Sequence, residues 1–240
     1  MRETKPEKAA GVVIAIDGPA GAGKSTVARE LARRLGMGYL DTGAMYRALT
    51  LEAMRRHMDL DDAMALAGLA ATMNLDIAYV PGESPPHRVL VGEEDVTAAV
   101  RSREVSAHVS QVSSHAEVRA EMVRKQRALA RGRDMVVEGR DVGTVVFPGA
   151  PVKFFITASV AERARRRQEE MKREGYEVSL GAVRQDMVRR DRMDATREVN
   201  PLRRAADAEM VDTTGMSFSQ VVDGLLAKVE QKLGKRDEGT

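Results

Sequence analysis

Apolar positions along the chain alternate between two spacings. Val12-Val13-Ile14-Ala15-Ile16 is an unbroken, largely β-branched run, the pattern of a strand buried on both faces. Gly18-Pro19-Ala20-Gly21-Ala22-Gly23 cannot extend it. Val27, Leu31 and Leu35, four apart, then predict a helix over 24–35 that Gly36 stops. Tyr39-Leu40 predicts a second strand, 45–56 a helix, and 61–73 an Ala/Leu-rich helix whose opening acidic residues complement its dipole. The texture then changes. Short strand patterns over 74–80, 88–91 and around Val96, separated by Pro81-Gly82-Glu83-Ser84-Pro85-Pro86 and Gly92-Glu93-Glu94, predict a small antiparallel insert. Helical spacing returns over 102–114 and 116–130, strand patterns at 135–137 and 152–156. Two basic helices follow over 160–173 and 180–194, then a last strand at 210–211 and a last helix over 218–233. Alternating strand and helix with right-handed crossovers gives an α/β fold, a parallel sheet with helices on both faces.

Composition narrows the function classes. Hydrophobic content of 43% and charged content of 31% are those of an ordinary globular chain. No apolar run approaches the roughly 20 residues of a membrane span, and the charged start Met1 to Lys8 lacks the apolar core of a signal peptide. The absence of cysteine excludes disulfides, thiolate zinc sites and a cysteine nucleophile, and suits a reducing, cytoplasmic setting. Net charge is only +2, yet 161–204 carries 13 Lys/Arg against 9 Asp/Glu. Such a basic segment points to phosphate-bearing ligands. Aromatics at 3% are too few for the stacking platforms of a single-stranded nucleic-acid binder. His57, His87, His108 and His115 have no metal-ligand spacing, and the 14 methionines read as core filler.

Gly18-x-x-x-x-Gly23-Lys24-Ser25 follows a predicted strand and opens a predicted helix, the setting that gives a Walker A match meaning. The loop Gly18, Pro19, Ala20, Gly21, Ala22, Gly23 lets backbone N–H groups surround a phosphate, and the helix adds its positive end. Lys24 suits the β- and γ-phosphates, and the Ser25 hydroxyl, or that of Thr26, suits Mg²⁺. No Asn-Lys-x-Asp reads guanine, which counts against a GTPase.

The acceptor side is sought at the carboxyl ends of the other strands. Asp41-Thr42-Gly43-Ala44-Met45-Tyr46-Arg47 follows the second strand. It is either a ligand-binding turn or an ordinary cap, with Thr42 capping and Arg47 exposed. Glu138-Gly139-Arg140-Asp141 holds the corresponding place after the strand at 135–137, where Arg140 suits a phosphate and Asp141 can accept hydrogen bonds. Arg190, Asp194 and Arg197, at i, i+4 and i+7, fall within about 60° on a helix and can face one ligand. Two guanidiniums flanking a carboxylate suit the phosphates and ribose of a nucleotide. Arg163, Arg166 and Arg167 form a second group on one face, either ATP-binding or a solvated, salt-bridged surface.

Four stretches together resemble the bacterial cytidylate kinases: Ile16 to Thr26, Leu40-Asp41-Thr42-Gly43-Ala44-Met45-Tyr46-Arg47, Gly139-Arg140-Asp141-Val142-Gly143-Thr144-Val145-Val146-Phe147-Pro148, and Arg189-Arg190-Asp191-x-x-Asp194-x-x-Arg197. The resemblance spans nearly the whole chain. It implies a P-loop nucleoside monophosphate kinase fold with a parallel five-stranded sheet, a small antiparallel β insert and a helical lid. It divides the chain into a core (11–40, 132–157 and 205–234), a monophosphate-binding domain (41–131, insert about 74–100), a lid (158–204) and frayed tails (1–10 and 235–240). It implies a monomeric, Mg²⁺-dependent enzyme of pyrimidine nucleotide metabolism that passes the γ-phosphoryl of ATP to CMP or dCMP, with no stable nucleic-acid or membrane partner. Thr42, Ser110, Arg119, Arg140 and Asp141 would surround the cytosine and its phosphate, and Arg190, Asp194 and Arg197 the ribose and phosphates. Lys24, Arg140, Arg190 and Arg197 would serve catalysis. Ser110 and Arg119 rest on the resemblance alone.

Overall fold

A computed structural model describes residues 11–79, 87–173 and 175–237. The chain runs β1 (Val13–Asp17), α1 (Lys24–Leu35), β2 (Gly38–Asp41), α2 (Thr42–Arg55), α3 (Ala63–Thr72), β3 (Leu75–Tyr79), β4 (His87–Val91) and β5 (Glu94–Asp95). It continues through α4 (Arg103–Val112), α5 (Ala116–Ala130), β6 (Met135–Gly139), β7 (Val152–Thr157), α6 (Val160–Arg173), α7 (Leu180–Thr196), β8 (Glu209–Asp212) and α8 (Phe218–Asp237). A 3₁₀ turn at Ala99–Arg101 precedes α4, and a π turn at Val142–Val146 follows β6. Five strands form one parallel sheet in the order β2-β6-β1-β7-β8, and β3-β4-β5 form a separate antiparallel sheet. The expected α/β class, five-stranded sheet and small insert are all present.

β1 is buried at every position, and its period of two divides the core. Val13 and Ala15 pack with α2, α3 and α5, whereas Ile14 and Ile16 pack with α1 and α8. A third, small cluster of Ala164, Val183 and Met187 belongs to α6 and α7. The insert is tied to the main body by Arg55 on α2, which donates from both terminal nitrogens to Glu94 at 2.8 Å.

Several boundaries shift for physical reasons. α2 starts three residues before the apolar spacing does, because the Asp41 carboxylate caps it by accepting from the Ala44 N–H at 2.9 Å. β5 forms at Glu94–Asp95 rather than around Val96: Val96 is buried, but the strand pairing falls on the polar residues before it. α8 continues through Asp237, past the end of its apolar spacing at 233 and into the tail read as frayed from 235. Val80, the loop Pro81 to Pro86 and the N-terminal tail lie outside the described residues.

Candidate functional site

The loop between β1 and α1 depends on glycine at both ends. At Gly18 (φ +148) an added Cβ would collide with the Ile156 carbonyl, so only glycine lets the loop leave β1 beside β7. Gly23, the left-handed N-cap of α1 (φ +84), turns the chain into the helix with its first N–H groups free for an anion. Lys24, the first helical residue, is only 5% exposed and donates to the Pro19 carbonyl at 2.8 Å. It is therefore no solvated loop lysine. Burial, reinforced by Arg140, pushes its pKa down to about 7, against the pull of Glu138, Asp17 and Asp41. Ser25 is half-buried and Thr26 exposed. Burial and Asp41 raise the Glu138 carboxyl, while Lys24 and the Ser25 and Tyr39 hydroxyls hold it down. The Tyr39 hydroxyl donates to Glu138 at 2.6 Å.

Beside this loop the carboxyl ends of β2 and β6 bring together residues far apart in sequence. Thr42 does not cap α2; it is buried, and its hydroxyl donates to the Glu138 carbonyl at 2.8 Å. Arg47 is half-buried rather than exposed, with a buried Nε that has no hydrogen-bond partner. Arg190, on α7, has a second such Nε. Burial lowers the pKa of both, and the two guanidiniums act on each other or share a repelling neighbour: Arg140 disfavours charge on Arg47 and Arg190 alike, and Arg47 does so on Arg190, which falls to about 10. The Arg140 Nε donates to Asp194 at 2.8 Å. Burial works to raise Asp194, but Arg140, Arg197 and Arg190 together hold it below its ordinary value. Lys24, Arg47, Arg140 and Arg190 thus converge with Asp194 as the carboxylate bonded to this group. Crowded, mutually repelling cations, two of them with buried and unpartnered donors, are a site for a multiply charged anion.

Next to the cations lies a buried ion pair. Arg119 on α5 is 1% exposed; its Nη2 donates to Asp141 Oδ2 at 2.5 Å and its Nη1 to the Ser113 carbonyl at 3.1 Å. The guanidinium stacks over the Tyr46 ring, 5.2 Å from its centroid. Asp141 Oδ1 stands 3.7 Å from Arg197 Nη2. Arg197 is the residue after α7 rather than part of it, yet it stays beside Asp194 because its Nε donates to the Asn200 carbonyl at 2.6 Å. Ser110 is half-buried on α4, three residues before the carbonyl that anchors Arg119.

The three α6 arginines diverge. Arg163 is buried and fully engaged: Nε donates to the Ala158 carbonyl and Nη1 to that of Ala20, each at 3.0 Å, while Nη2 pairs with Asp191 at 2.7 Å. It fastens α6 to the glycine loop. Arg166 donates to the Thr213 hydroxyl at 3.0 Å and carbonyl at 2.8 Å, with Nη1 3.7 Å from where a Gly23 Cβ would stand. Arg167 pairs with Glu170 at 2.6 Å. Arg47, Glu138, Asp17 and Tyr46 were not singled out by local sequence chemistry. Arg47 and Tyr46 were within reach, standing in the quoted turn after β2.

Residues 14–231 match the family model described as cytidylate kinase. The chain is 48% identical over 220 residues to a cytidylate kinase of Halalkalibacterium halodurans, covering 92% of this chain and 98% of the relative. It is 48% identical over 219 residues to one of Bacillus velezensis, covering 91% and 96%. A bifunctional pantoate ligase/cytidylate kinase of a Nostoc species is 46% identical over 224 residues, 93% of this chain but 42% of that longer protein. Among solved structures, an uncharacterized protein from Eubacterium ventriosum superposes with a TM-score of 0.50 at 13% identity, covering 91% of this chain and 98% of that one, a likeness of fold alone.

Proposed function

This chain belongs to the cytidylate kinase family, and from that premise we infer that it transfers the γ-phosphoryl of ATP to CMP or dCMP, giving ADP and CDP or dCDP. The observation that carries the acceptor side is the convergence of Lys24, Arg47, Arg140 and Arg190 at the carboxyl edge of the sheet, two of them with a buried, unpartnered Nε. An acceptor phosphate meets Arg47, Arg140 and Arg190, and the phosphates of ATP lie in the loop from Gly18 to Thr26. Phosphoryl transfer asks for alignment and charge compensation more than for covalent help. Lys24 meets the oxygens of the transferring group, and Arg140, Arg190 and Arg197 offset the charge that builds between the two nucleotides.

Base reading falls to Asp141, Arg119 and Ser110. Asp141 has one oxygen committed to Arg119 and the other 3.7 Å from Arg197. That leaves Oδ1 to accept from the exocyclic amine of cytosine, while Arg119 and Ser110 donate to its ring acceptors. Thr42 stands beside the cytosine and its phosphate, and Asp194 accepts from the ribose. Mg²⁺ fits this donor set. Among the described residues no group of three or more His, Asp or Glu could cage a cation. Ser25 beside the Glu138 carboxylate instead offers one hydroxyl and an acceptor for bound water, the sparse protein contribution that Mg²⁺ takes when phosphates supply the rest. When bound, the ion neutralises charge on the ATP phosphates.

Residues 11–40, 132–157 and 205–234 serve as the core, 41–131 as the acceptor domain and 158–204 as a lid. The private apolar cluster of α6 and α7 supports their moving as one body, with Arg163 holding α6 to the ATP loop and Arg166 and Arg167 approaching ATP when the lid closes and excludes water. The test is transfer of label from γ-³²P-ATP: label appearing in CDP only when CMP is present is expected. Label released solely as inorganic phosphate, with or without CMP, contradicts the assignment.

A further inference from the structure

Asp17 ends β1, immediately before the glycine loop, yet its carboxylate serves the acceptor side. It is 3% exposed, and both oxygens are occupied: Oδ1 accepts from the Val142 N–H at 2.8 Å and Oδ2 from the Gly143 N–H at 2.7 Å. Those amides open the π turn that follows Arg140 and Asp141 directly. They are the N–H groups a helical turn leaves without internal partners, and one carboxylate from the neighbouring strand meets both. A glycine leaves room for this approach: a Cβ on Gly143 would crowd the contact, standing 3.3 Å from Asp17 Oδ2 and 3.1 Å from Lys153 Cδ. Asp17 also lies within the field of both halves of the site, since Asp141 pushes its pKa up and Lys24 pulls it down. A carboxylate kept buried there, its pKa raised to about 6 chiefly by burial even against the two amide hydrogen bonds, is more than a surface cap.

We propose that Asp17 is a positioning residue for the acceptor: by clamping the Val142 and Gly143 N–H groups it fixes Arg140 and Asp141 relative to the phosphate loop that begins at the next residue. The inference rests on the reading of Arg140 and Asp141 as acceptor-binding groups. Asp17 touches neither nucleotide. It sets the distance between the cation that meets the acceptor phosphate and the loop that holds the donor, on which in-line transfer depends. In Asp17→Asn one oxygen can still accept from one N–H, but the amide NH₂ then faces the other donor, and the turn loses half of its clamp.

The test is a comparison of kinetics with each nucleotide varied in turn. Asp17→Asn is expected to lower kcat/KM for CMP by about 10–10²-fold, the size of effect that a misplacement of ~1 Å produces. The ATP KM should move by less than about threefold, because the phosphate loop keeps its own backbone. Amide exchange at Val142 and Gly143 should quicken relative to β1 and β6. Gly143→Ala presses on the same contact from the other side without removing a charge. It should give the same CMP-weighted loss, and it carries the test if Asp17→Asn does not fold. CMP and ATP KM values rising together, or kcat/KM for CMP within about twofold of the unsubstituted protein in a folded variant, would overturn the proposal. Absence of CMP turnover in the unsubstituted protein would overturn both the proposal and the reading it rests on.

Discussion

Replacing Asp141 by asparagine isolates base reading from phosphate binding. The carboxylate sits 2.5 Å from Arg119 and 3.7 Å from Arg197, and these side chains are 6%, 2% and 7% exposed respectively. Deleting one partner of such a buried pair outright costs about 3–5 kcal/mol. Asparagine keeps the shape and one acceptor, so the loss is that of a charge-assisted hydrogen bond made neutral, roughly 1–3 kcal/mol. For a chain of this size that lowers Tm by about 3–10 °C. The catalytic effect differs by substrate. With CMP, the amine that Oδ1 would accept from loses a charged partner, and kcat/KM falls by about 10–10²-fold. With UMP, the wild-type carboxylate faces a carbonyl, an unfavourable match that an amide can relieve by turning its NH₂ toward it, so the loss is smaller than about fivefold. The assay is coupled ADP release with CMP and UMP varied at saturating ATP, beside a melting curve for each protein. A lower Tm with an unchanged CMP-to-UMP ratio would refute the reasoning, since Asp141 would then hold Arg119 in place without reading the base.

Lys24→Met should cut turnover about 10²–10³-fold with CMP and UMP alike, the size of effect seen when one preorganised contact to the transferring group is removed. The same substitution has a pH signature: with the folded pKa near 7 and the unfolded value at 10.5, the unfolded chain alone holds the proton between them, so Lys24 makes stability rise with pH across that window. Melting curves from pH 6.5 to 10 should therefore climb less steeply in Lys24→Met, and parallel curves would contradict the buried, depressed lysine. Arg163→Ala removes the links from α6 to the Ala20 carbonyl of the glycine loop, to Asp191 on α7 and to the Ala158 carbonyl, so amide exchange over 160–197 should quicken in the nucleotide-free protein. A bisubstrate analogue should slow exchange over the same stretch in the unsubstituted protein, and equal protection with and without ligand would rule out a closing lid.

What the sequence disclosed depended on how local the determining interaction is. β1 and α5 were legible because burial on both faces or a sustained helical spacing is written in the segment itself; α5 spans the expected 116–130. Arg190 and Asp194 were legible for the same reason, one turn apart on one helix. No periodicity marks Val142–Val146 as a helical turn, because what organises it is a carboxylate 125 residues earlier. Glu138 is silent for a like reason: its environment is made by Tyr39, Lys24 and Ser25, brought in from another strand and the phosphate loop. Arg47 could be read either as a surface residue or as a ligand, and only the fold, which brings Asp41, Arg140, Arg167 and Arg101 around it, buries its Nε. The pairing of Arg119 with Asp141 joins two residues known beforehand only through resemblance and through an acceptor turn, and their mutual commitment is visible only in the fold.

The proposed selection of a cytidine monophosphate rests on a buried carboxylate–guanidinium pair beside a cationic hole. It is tested most directly by ADP release across CMP, dCMP, UMP, AMP and GMP, each with ATP and Mg²⁺. CMP and dCMP are expected to exceed UMP by at least about 10-fold in kcat/KM, because uracil opposes two acceptors where cytosine pairs a donor with one. AMP and GMP should give no acceptor-dependent release above background. UMP or a purine monophosphate turned over as efficiently as CMP would contradict the account.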